Sequence, residues 1–169
     1  MPKIIENVKE ALMAEAKRQI AERGYTATTI RSVAAECGIA VGTVYNYFAS
    51  KDMLIASFML EDWIATVELI KSTPATDSRA YLFAVYSALR DFAEKHSALF
   101  ADKDAAKSYR TAIGERHKQL REQLAALLLP VCNGGSDFTA EFIAEAMLTW
   151  TMAGRDFDSI YEIIKKIIT

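Results

Sequence analysis

The stretch that decides the fold is RSVAAECGIAVGTVYNYFASKDML, residues 31–54, in which two short apolar-patterned segments meet at one glycine. Ala34, Gly38 and Val44 follow each other at spacings of four and six positions, which is the pattern of a helix-turn-helix. A small residue at Ala34 lets two helices cross closely, Gly38 takes the positive φ of the turn, and Val44 closes the second helix on the first. The stretch therefore predicts two packed short helices.

The composition of the 169-residue chain indicates an all-α protein. Its seven glycines and three prolines supply few turns, and helix-forming residues dominate the rest. No uninterrupted apolar run approaches the ~20 residues that a membrane-spanning helix needs. Because the N-terminal segment carries charge throughout, it lacks the apolar core of a signal peptide. We therefore expect a cytoplasmic protein.

Charge and cysteine usage narrow the class of function. The net charge is −2, with +2 on residues 1–51 and −4 on the remainder, which permits a nucleic-acid face near the N-terminus without requiring one. The two cysteines have no metal or redox spacing. The sequence shows no Ser–His–acid set, metal-spaced cluster or phosphate-cradling glycine loop. Neither an enzyme nor a cofactor or metal site is predicted.

Apolar periodicity and turn residues predict a series of helices along the whole chain. Gly24 and Gly38 are expected to end the first two helices, Thr28 or Thr29 to cap the second, and Ser50 to cap the fourth. The predicted helices cover residues 3–23, 30–37, 41–48, 51–71, 79–100, 104–129, 138–153 and 157–168.

The wider string AERGYTATTIRSVAAECGIAVGTVYNYFASKDML, residues 21–54, resembles the TetR (tetracycline-repressor) family of transcriptional regulators. The ending ERGY, the paired threonines, VGTVYNYF and SKDML occur in the family's order, whereas the rest matches only in its long helices. The resemblance implies an N-terminal three-helix, homeodomain-like DNA-binding domain over residues 1–50. It also implies a helical ligand-binding and dimerisation domain over residues 51–169, with residues 51–71 as the linking helix.

The same resemblance implies a sequence-specific DNA-binding transcriptional regulator, a repressor that a small-molecule effector releases from a palindromic operator. The alternative is a helical interaction or ligand-binding protein that keeps the helix-turn-helix only as scaffold. The resemblance puts residues 41–47 into the major groove of double-stranded DNA. The expected DNA contacts are Thr29, Arg31, Val41, Gly42, Thr43, Tyr45, Asn46, Tyr47 and Lys51.

Each expected DNA contact has a role and a structural alternative. Small residues at 41–43 allow close approach to the groove, and Asn46 reads adenine or points at a phosphate. Tyr45, Tyr47 and Lys51 correspond to phosphate contacts in the family, and residues 29 and 31 lie where a helix N-terminus attracts phosphate. The alternatives are a packing role for the glycine, core positions for the tyrosines, a solvated lysine, an arginine paired with glutamate and a threonine that only caps. Ala40 departs from the family, which often has a serine or threonine at this position to cap the recognition helix. Alanine forgoes about 1 kcal/mol of helix capping.

The two C-terminal helices carry apolar faces wider than one small core needs, and the resemblance implies that they form a homodimer through residues of about 138–168. The alternative is that both faces belong to the core of one chain. The expected faces contain Phe138, Phe142, Ile143, Ala146, Met147, Thr149, Trp150 and Ala153 on one helix and Ile160, Ile163, Ile164, Ile167 and Ile168 on the other.

An effector pocket is also implied by the resemblance, although the short chain leaves room for a vestigial one. An aromatic stripe at helical spacing is usually packing, so each candidate lining residue has a place in the plain core as its alternative. The candidates are Phe58, Trp63, Tyr86, Phe92, His96, Phe100, Tyr109, Met147 and Trp150.

Overall fold

The computed structural model describes residues 7–132 and 136–168, without the side chains of residues 106–116. These described residues form nine α-helices and one short 3-10 turn at Leu129–Val131, and they contain no strand. No helix among them is both long enough and apolar enough to cross a lipid bilayer. The helices are α1 Val8–Ala27, α2 Ile30–Cys37, α3 Val41–Tyr47, α4 Lys51–Lys71, α5 Ser78–Lys95, α6 Ser97–Phe100, α7 Lys103–Leu128, α8 Asp137–Met152 and α9 Phe157–Ile168.

The predicted crossing of α2 and α3 is confirmed. Gly38 has φ 68° and ψ 30°, a left-handed conformation that glycine adopts at little cost, and the Ile39 N–H donates to Ala34 O at 3.0 Å. Ala34 and Val44 are fully buried, so a larger side chain at position 34 would enter the helix contact. The turn therefore fixes the direction in which α3 leaves α2.

Residue 29, rather than residue 28, caps α2. The Ser32 N–H donates to Thr29 Oγ1 at 3.0 Å, and the Thr29 N–H donates to Ser32 Oγ at 3.0 Å, which is a reciprocal capping box. The Met53 N–H likewise donates to Ser50 Oγ at 3.1 Å, as predicted for the start of α4. The N-cap position of α3, Ala40, provides no such bond.

One predicted helix end is confirmed as a kink, and one predicted helix is divided in two. The predicted end of the first helix at Gly24 is confirmed, because its φ of 81° and ψ of 170° lie outside the helical region, and a further helical turn to Ala27 follows this kink. The predicted helix over residues 79–100 is divided at His96, whose φ of −110° and ψ of 13° leave the helical region. The predicted start at residue 3 lies outside the described residues.

The chain divides into two compact units. The N-terminal unit comprises Met1–Asp62 and His96–Thr111, and its described core includes Leu12, Val33, Val44 and Ile55. The C-terminal unit comprises Trp63–Lys95 and Ala112–Thr169. In the C-terminal unit α5 packs against α8 and α9, and α8 packs against α9. The functional domains expected over residues 1–50 and 51–169 stay a prediction, because compactness alone does not define a function.

The missing cap of α3 generates a prediction. The substitution Ala40→Ser is expected to raise the free energy of unfolding by about 1 kcal/mol, because a serine hydroxyl can accept a free N–H of the first turn. Denaturant unfolding of the whole chain measures this change. Ala14→Ser, at an exposed position inside α1, is the matched control and should lower stability by a few tenths of a kcal/mol. Equal effects of the two serines would contradict the capping explanation.

Candidate nucleic-acid interface

The outer face of α3 is uncovered in the part of the chain that the structure describes. Val44 points into the core, whereas Tyr45 is 54% exposed, Tyr47 is 48% exposed and Asn46 is also exposed. Neither tyrosine belongs to the core, so the alternative role considered for both is wrong.

The start of α3 presents small side chains. Val41 and Thr43 are half-buried, and Gly42 is exposed. A Cβ added at Gly42 would meet no described atom within 4 Å, so this glycine is not required by packing inside the described chain. Phe48, which follows the helix, is buried. The first turn of α3 therefore offers backbone that another molecule can approach closely.

The N-terminus of α2 lies on the other side of the turn. Thr29 and Arg31 are both exposed, and among the side chains that the structure describes Arg31 has no carboxylate partner. The capping box uses the Ser32 N–H, but the N–H groups before it have no acceptor within the helix. Because the helix dipole is positive at this end, the turn is suited to an anion.

Lys51, at the start of α4, is held by Tyr25. Its Nζ donates to Tyr25 O at 2.9 Å and lies 3.5 Å from the centroid of the Tyr25 ring. The Tyr25 hydroxyl in turn donates to Asp52 Oδ1 at 2.6 Å. Burial lowers the pKa of the Lys51 ammonium, and the nearby carboxylates of Asp52, Asp102 and Asp104 oppose this shift. The lysine is therefore not merely solvated, although an ammonium has three donors and a phosphate could still accept one of them.

Three residues around this interface were missed from the sequence. Ser32 had a readable signal, because a side-chain acceptor three positions after a threonine cap is the capping-box spacing. Tyr25 and Asp52 had none, because they are 27 positions apart and meet only after α1 and α4 pack.

The effector-pocket candidates of the N-terminal unit pack on one another. The rings of Phe58 and His96 stack with centroids 5.9 Å apart, and Phe100 meets His96 edge-on at 6.3 Å. His96 is buried, with its Nε2 3.1 Å from Asp62 Oδ2, and Lys17 Nζ lies 2.6 Å from the same oxygen. These three candidates thus have structural roles around a half-buried carboxylate.

The candidates of the C-terminal unit divide into buried and exposed side chains. Trp63, Tyr86, Phe92 and Met147 are buried, and the rings of Trp63 and Phe92 meet edge-on at 5.6 Å. Trp150 instead faces solvent. The side chain of Tyr109 lies outside the described residues. The buried candidates therefore contribute to the core whether or not they also contact a ligand.

The two aromatic residues with polar groups in this core are already hydrogen-bonded. Trp63 Nε1 donates to Gln123 Oε1 at 2.7 Å, and the Tyr86 hydroxyl donates to Arg155 O at 3.0 Å. A ligand that used either group would have to replace one of these bonds.

The predicted dimer faces are only partly exposed. The exposed members form one surface, which we call the α8–α9 surface, and the buried members point into the core of the C-terminal unit. Between the two helices runs a groove of about 380 Å³ that includes Phe142, Trp150 and Ile163 in its lining. The exposed large side chains are Phe138 (72%), Phe142 (51%), Trp150, Ile163 and Ile167, and the buried ones are Ile143, Met147, Ile160, Ile164 and Ile168.

No group of three or more potential metal ligands occurs within the described ranges.

Comparison with known proteins concerns mainly the N-terminal helices. Residues 12–58 match the model of bacterial regulatory proteins of the tetR family. Over 49 residues, 29% of this chain, the sequence is 43% identical to the uncharacterized HTH-type transcriptional regulator YerO of Bacillus subtilis (strain 168). Over 58 residues, 33% of this chain, it is 33% identical to the HTH-type transcriptional repressor KstR2 of Mycolicibacterium smegmatis.

These matches span only 17% of the length of YerO and 28% of the length of KstR2. Over the whole fold, the chain is similar to the solved structure of Salmonella enterica GusR, with a TM-score of 0.71 and 18% identity, covering 96% of this chain and 90% of GusR. Both of these partly matched relatives are named as transcriptional regulators. The family match of this chain thus lies in residues 12–58, which are similar to the bacterial regulatory proteins of the tetR family.

Proposed function

We propose that the protein is a sequence-specific DNA-binding transcriptional regulator that inserts α3 into the major groove. The observation that carries the proposal is the uncovered outer face of α3, where two tyrosines and Asn46 face solvent beside a helix start made of small residues. An α-helix fits the major groove of B-form DNA, and its first residues meet base edges. The buried Val44 keeps the opposite face of α3 attached to the domain.

The individual contacts follow from the chemistry of the exposed groups. Val41 and Thr43 provide methyl and hydroxyl groups for the groove, and Asn46 can accept from and donate to an adenine edge. The Tyr45 and Tyr47 hydroxyls are suited to backbone phosphates. The start of α2, with Thr29 and Arg31, and the remaining donors of Lys51 complete the phosphate contacts.

We further propose that two copies bind a palindromic operator through a homodimer formed by the α8–α9 surface. One DNA-binding domain makes few charged contacts with DNA, and a symmetric pair of domains doubles their number. The support is the set of large apolar side chains that α8 and α9 leave in water, a kind of patch that marks protein interfaces. Self-association through one patch requires a two-fold axis.

The regulatory part of the proposal is a cytoplasmic repressor that a small-molecule effector releases from DNA. Its support is the family relationship and the apolar core of the C-terminal unit. The polar groups of Trp63 and Tyr86 are hydrogen-bonded in this structure, so an effector that used either group would favour a state in which that group is free.

Selection of bound sequences from random duplex DNA tests the main proposal, with Gly42→Ala as the diagnostic variant. The wild-type protein is expected to select a palindrome. Gly42→Ala should be as stable as wild type or up to about 1 kcal/mol more stable, because alanine is the better helix former. On the selected duplex it should bind roughly tenfold more weakly. The added methyl group would hold α3 further from the floor of the groove, so that contacts to base edges are lost.

Ala14→Val is the matched control, since it adds methyl groups at an exposed position of α1 outside the proposed face. Fluorescence anisotropy measures both affinities. If the wild-type protein enriched no sequence and bound duplexes without salt dependence, the scaffold alternative would replace the proposed function. If Gly42→Ala bound DNA with wild-type affinity, the proposal that the backbone at Gly42 approaches DNA closely would be wrong.

The two proposed phosphate cations are expected to behave differently when they are neutralised. Arg31→Met and Lys51→Met should each lower the slope of log Kd against log salt concentration by about one per protomer, because one phosphate contact is lost. Only Lys51→Met should also destabilise the protein, by about 1 kcal/mol, because its ammonium contacts the Tyr25 ring and carbonyl.

Salt titrations of DNA binding and denaturant unfolding give these two quantities. Tyr25→Phe serves as the control, since it keeps the ring and the carbonyl but removes the hydroxyl that bonds Asp52. A Lys51→Met variant with an unchanged slope and reduced stability would restrict Lys51 to its structural role.

Assembly is tested by one substitution on each of two exposed apolar positions. Phe142→Glu is expected to convert a dimer into a monomer at micromolar concentration, because it would bury a carboxylate in an apolar interface. Leu60→Glu, at an equally exposed leucine on α4, should leave the dimer intact. Sedimentation velocity measures both. A wild-type monomer at this concentration, or loss of the dimer in both variants alike, would contradict the α8–α9 interface.

A further inference from the structure

We propose that Gln19 is a positioning residue for DNA binding, which holds the first turn of α2 through Ser32. This inference rests on the proposed DNA-binding function, because the first turn of α2 carries the expected phosphate contacts of Thr29 and Arg31. Gln19 lies in α1 and is 0% exposed, so its amide neither contacts solvent nor faces DNA directly. A buried polar side chain of this kind requires internal partners.

A chain of hydrogen bonds connects Gln19 to the cap of α2. The Ser32 hydroxyl donates to Gln19 Oε1 at 2.6 Å, and Gln19 Nε2 donates to Glu15 Oε1 at 2.6 Å. Ser32 is also one half of the capping box, because its Oγ accepts from the Thr29 N–H. We call Glu15, Gln19 and Ser32 the α1–α2 relay. The Ser32 side chain is thereby held by α1 on one side and by the cap on the other.

The far end of the relay is fixed by an arginine. Arg18 Nε donates to Glu15 Oε2 at 2.9 Å and Arg18 Nη2 donates to Glu15 Oε1 at 2.7 Å, while Nη1 reaches Glu22 at 2.7 Å. The hydrogen bond from Arg18 is the main cause that lowers the pKa of the Glu15 carboxyl, and burial opposes it. Glu15 therefore stays ionised at neutral pH and remains an acceptor for the Gln19 amide.

Gln19 also determines which acceptor the Ser32 hydroxyl hydrogen-bonds to. Two acceptors lie within reach of this hydroxyl, Gln19 Oε1 at 2.6 Å and Thr29 O at 2.9 Å. Thr29 O already accepts the Val33 N–H at 3.0 Å, which is the first backbone hydrogen bond of α2. Because Gln19 Oε1 accepts the hydrogen bond from the Ser32 hydroxyl, the Thr29 carbonyl remains available to the helix and the reciprocal cap stays intact.

Stability alone does not explain a buried glutamine at this position. An apolar side chain of similar length would fill the same space without any need for partners, and the replacement of both partners of a buried hydrogen bond by apolar groups is often nearly neutral or stabilising. The amide adds a defined orientation of the cap. That orientation aligns the free N–H groups before Ser32, which are the groups that a phosphate would meet.

Gln19→Met in the full chain tests the relay, because methionine fills a similar volume but offers the Ser32 hydroxyl only a weak sulfur acceptor. Ile20→Val is the matched control, since it trims the next buried residue of α1 and leaves the relay intact. In the free protein, amide exchange at Ser32 followed by NMR is expected to become about tenfold faster in Gln19→Met and to stay unchanged in Ile20→Val. An unchanged Ser32 exchange rate in Gln19→Met overturns the inference, whether or not DNA is bound.

DNA binding tests the positioning role on the duplex selected by the wild-type protein. Gln19→Met is expected to bind roughly five- to tenfold more weakly, with a salt slope lower by about one per protomer, whereas Ile20→Val keeps the slope. Faster exchange combined with wild-type affinity and slope would reduce the relay to a structural feature and overturn its role in binding. A wild-type protein that bound no duplex would refute the function proposed above and this role with it, while the exchange rates would still report whether the relay exists.

A double-mutant comparison asks whether Gln19 acts through Ser32. In a Ser32→Ala background, Gln19→Met is expected to cause no additional loss of DNA affinity, because the proton that it orients is already absent. Additive losses from the two substitutions would mean that they act separately, and would overturn the relay.

Discussion

The close crossing of α2 and α3 is the constraint on which the rest of the interface depends. It needs a residue without bulk at Ala34, a fully buried apolar residue at Val44 and a left-handed turn at Gly38. With these three in place, the axis of α3 is fixed relative to α2, and every other side chain of α3 is distributed between core and solvent by the helical period. The exposure of both tyrosines and of Asn46 is therefore a geometric result of one packed contact and one glycine.

Around this crossing, polar groups fix the ends of helices rather than the core. The capping box fixes the first turn of α2, Ser50 fixes the first turn of α4, and the contacts of Tyr25 with Lys51 and Asp52 join α4 to α1. Each of these bonds lies where backbone groups lack partners inside their own helix. A small domain with a limited apolar core can obtain a defined surface in this way, since orientation depends on a few short hydrogen bonds.

The sequence was sufficient for those elements that glycines and caps delimit. Helices α2 and α4 occupy the predicted residues, because a threonine or serine precedes each, and Gly38 follows α2 while a stretch with Pro74 follows α4. The break at His96 was missed because neither glycine nor proline marks it, and the half-buried Asp62 that contacts this histidine is 34 positions away. Gln19 was also missed: its side chain is polar, so the apolar stripe of α1 does not reveal that it is buried. Contacts between helices decided these positions, and local pattern does not encode them.

The α8–α9 surface has a consequence for the lifetime of a newly made chain. A single copy presents five large apolar side chains, two of them phenylalanines, to water. Association that covers them would couple the folded population to the amount of protein present, so that dilution lowers the melting temperature by mass action. In a cell that makes few copies, this coupling would set a threshold of synthesis below which the chain spends much of its time alone and open to proteolysis.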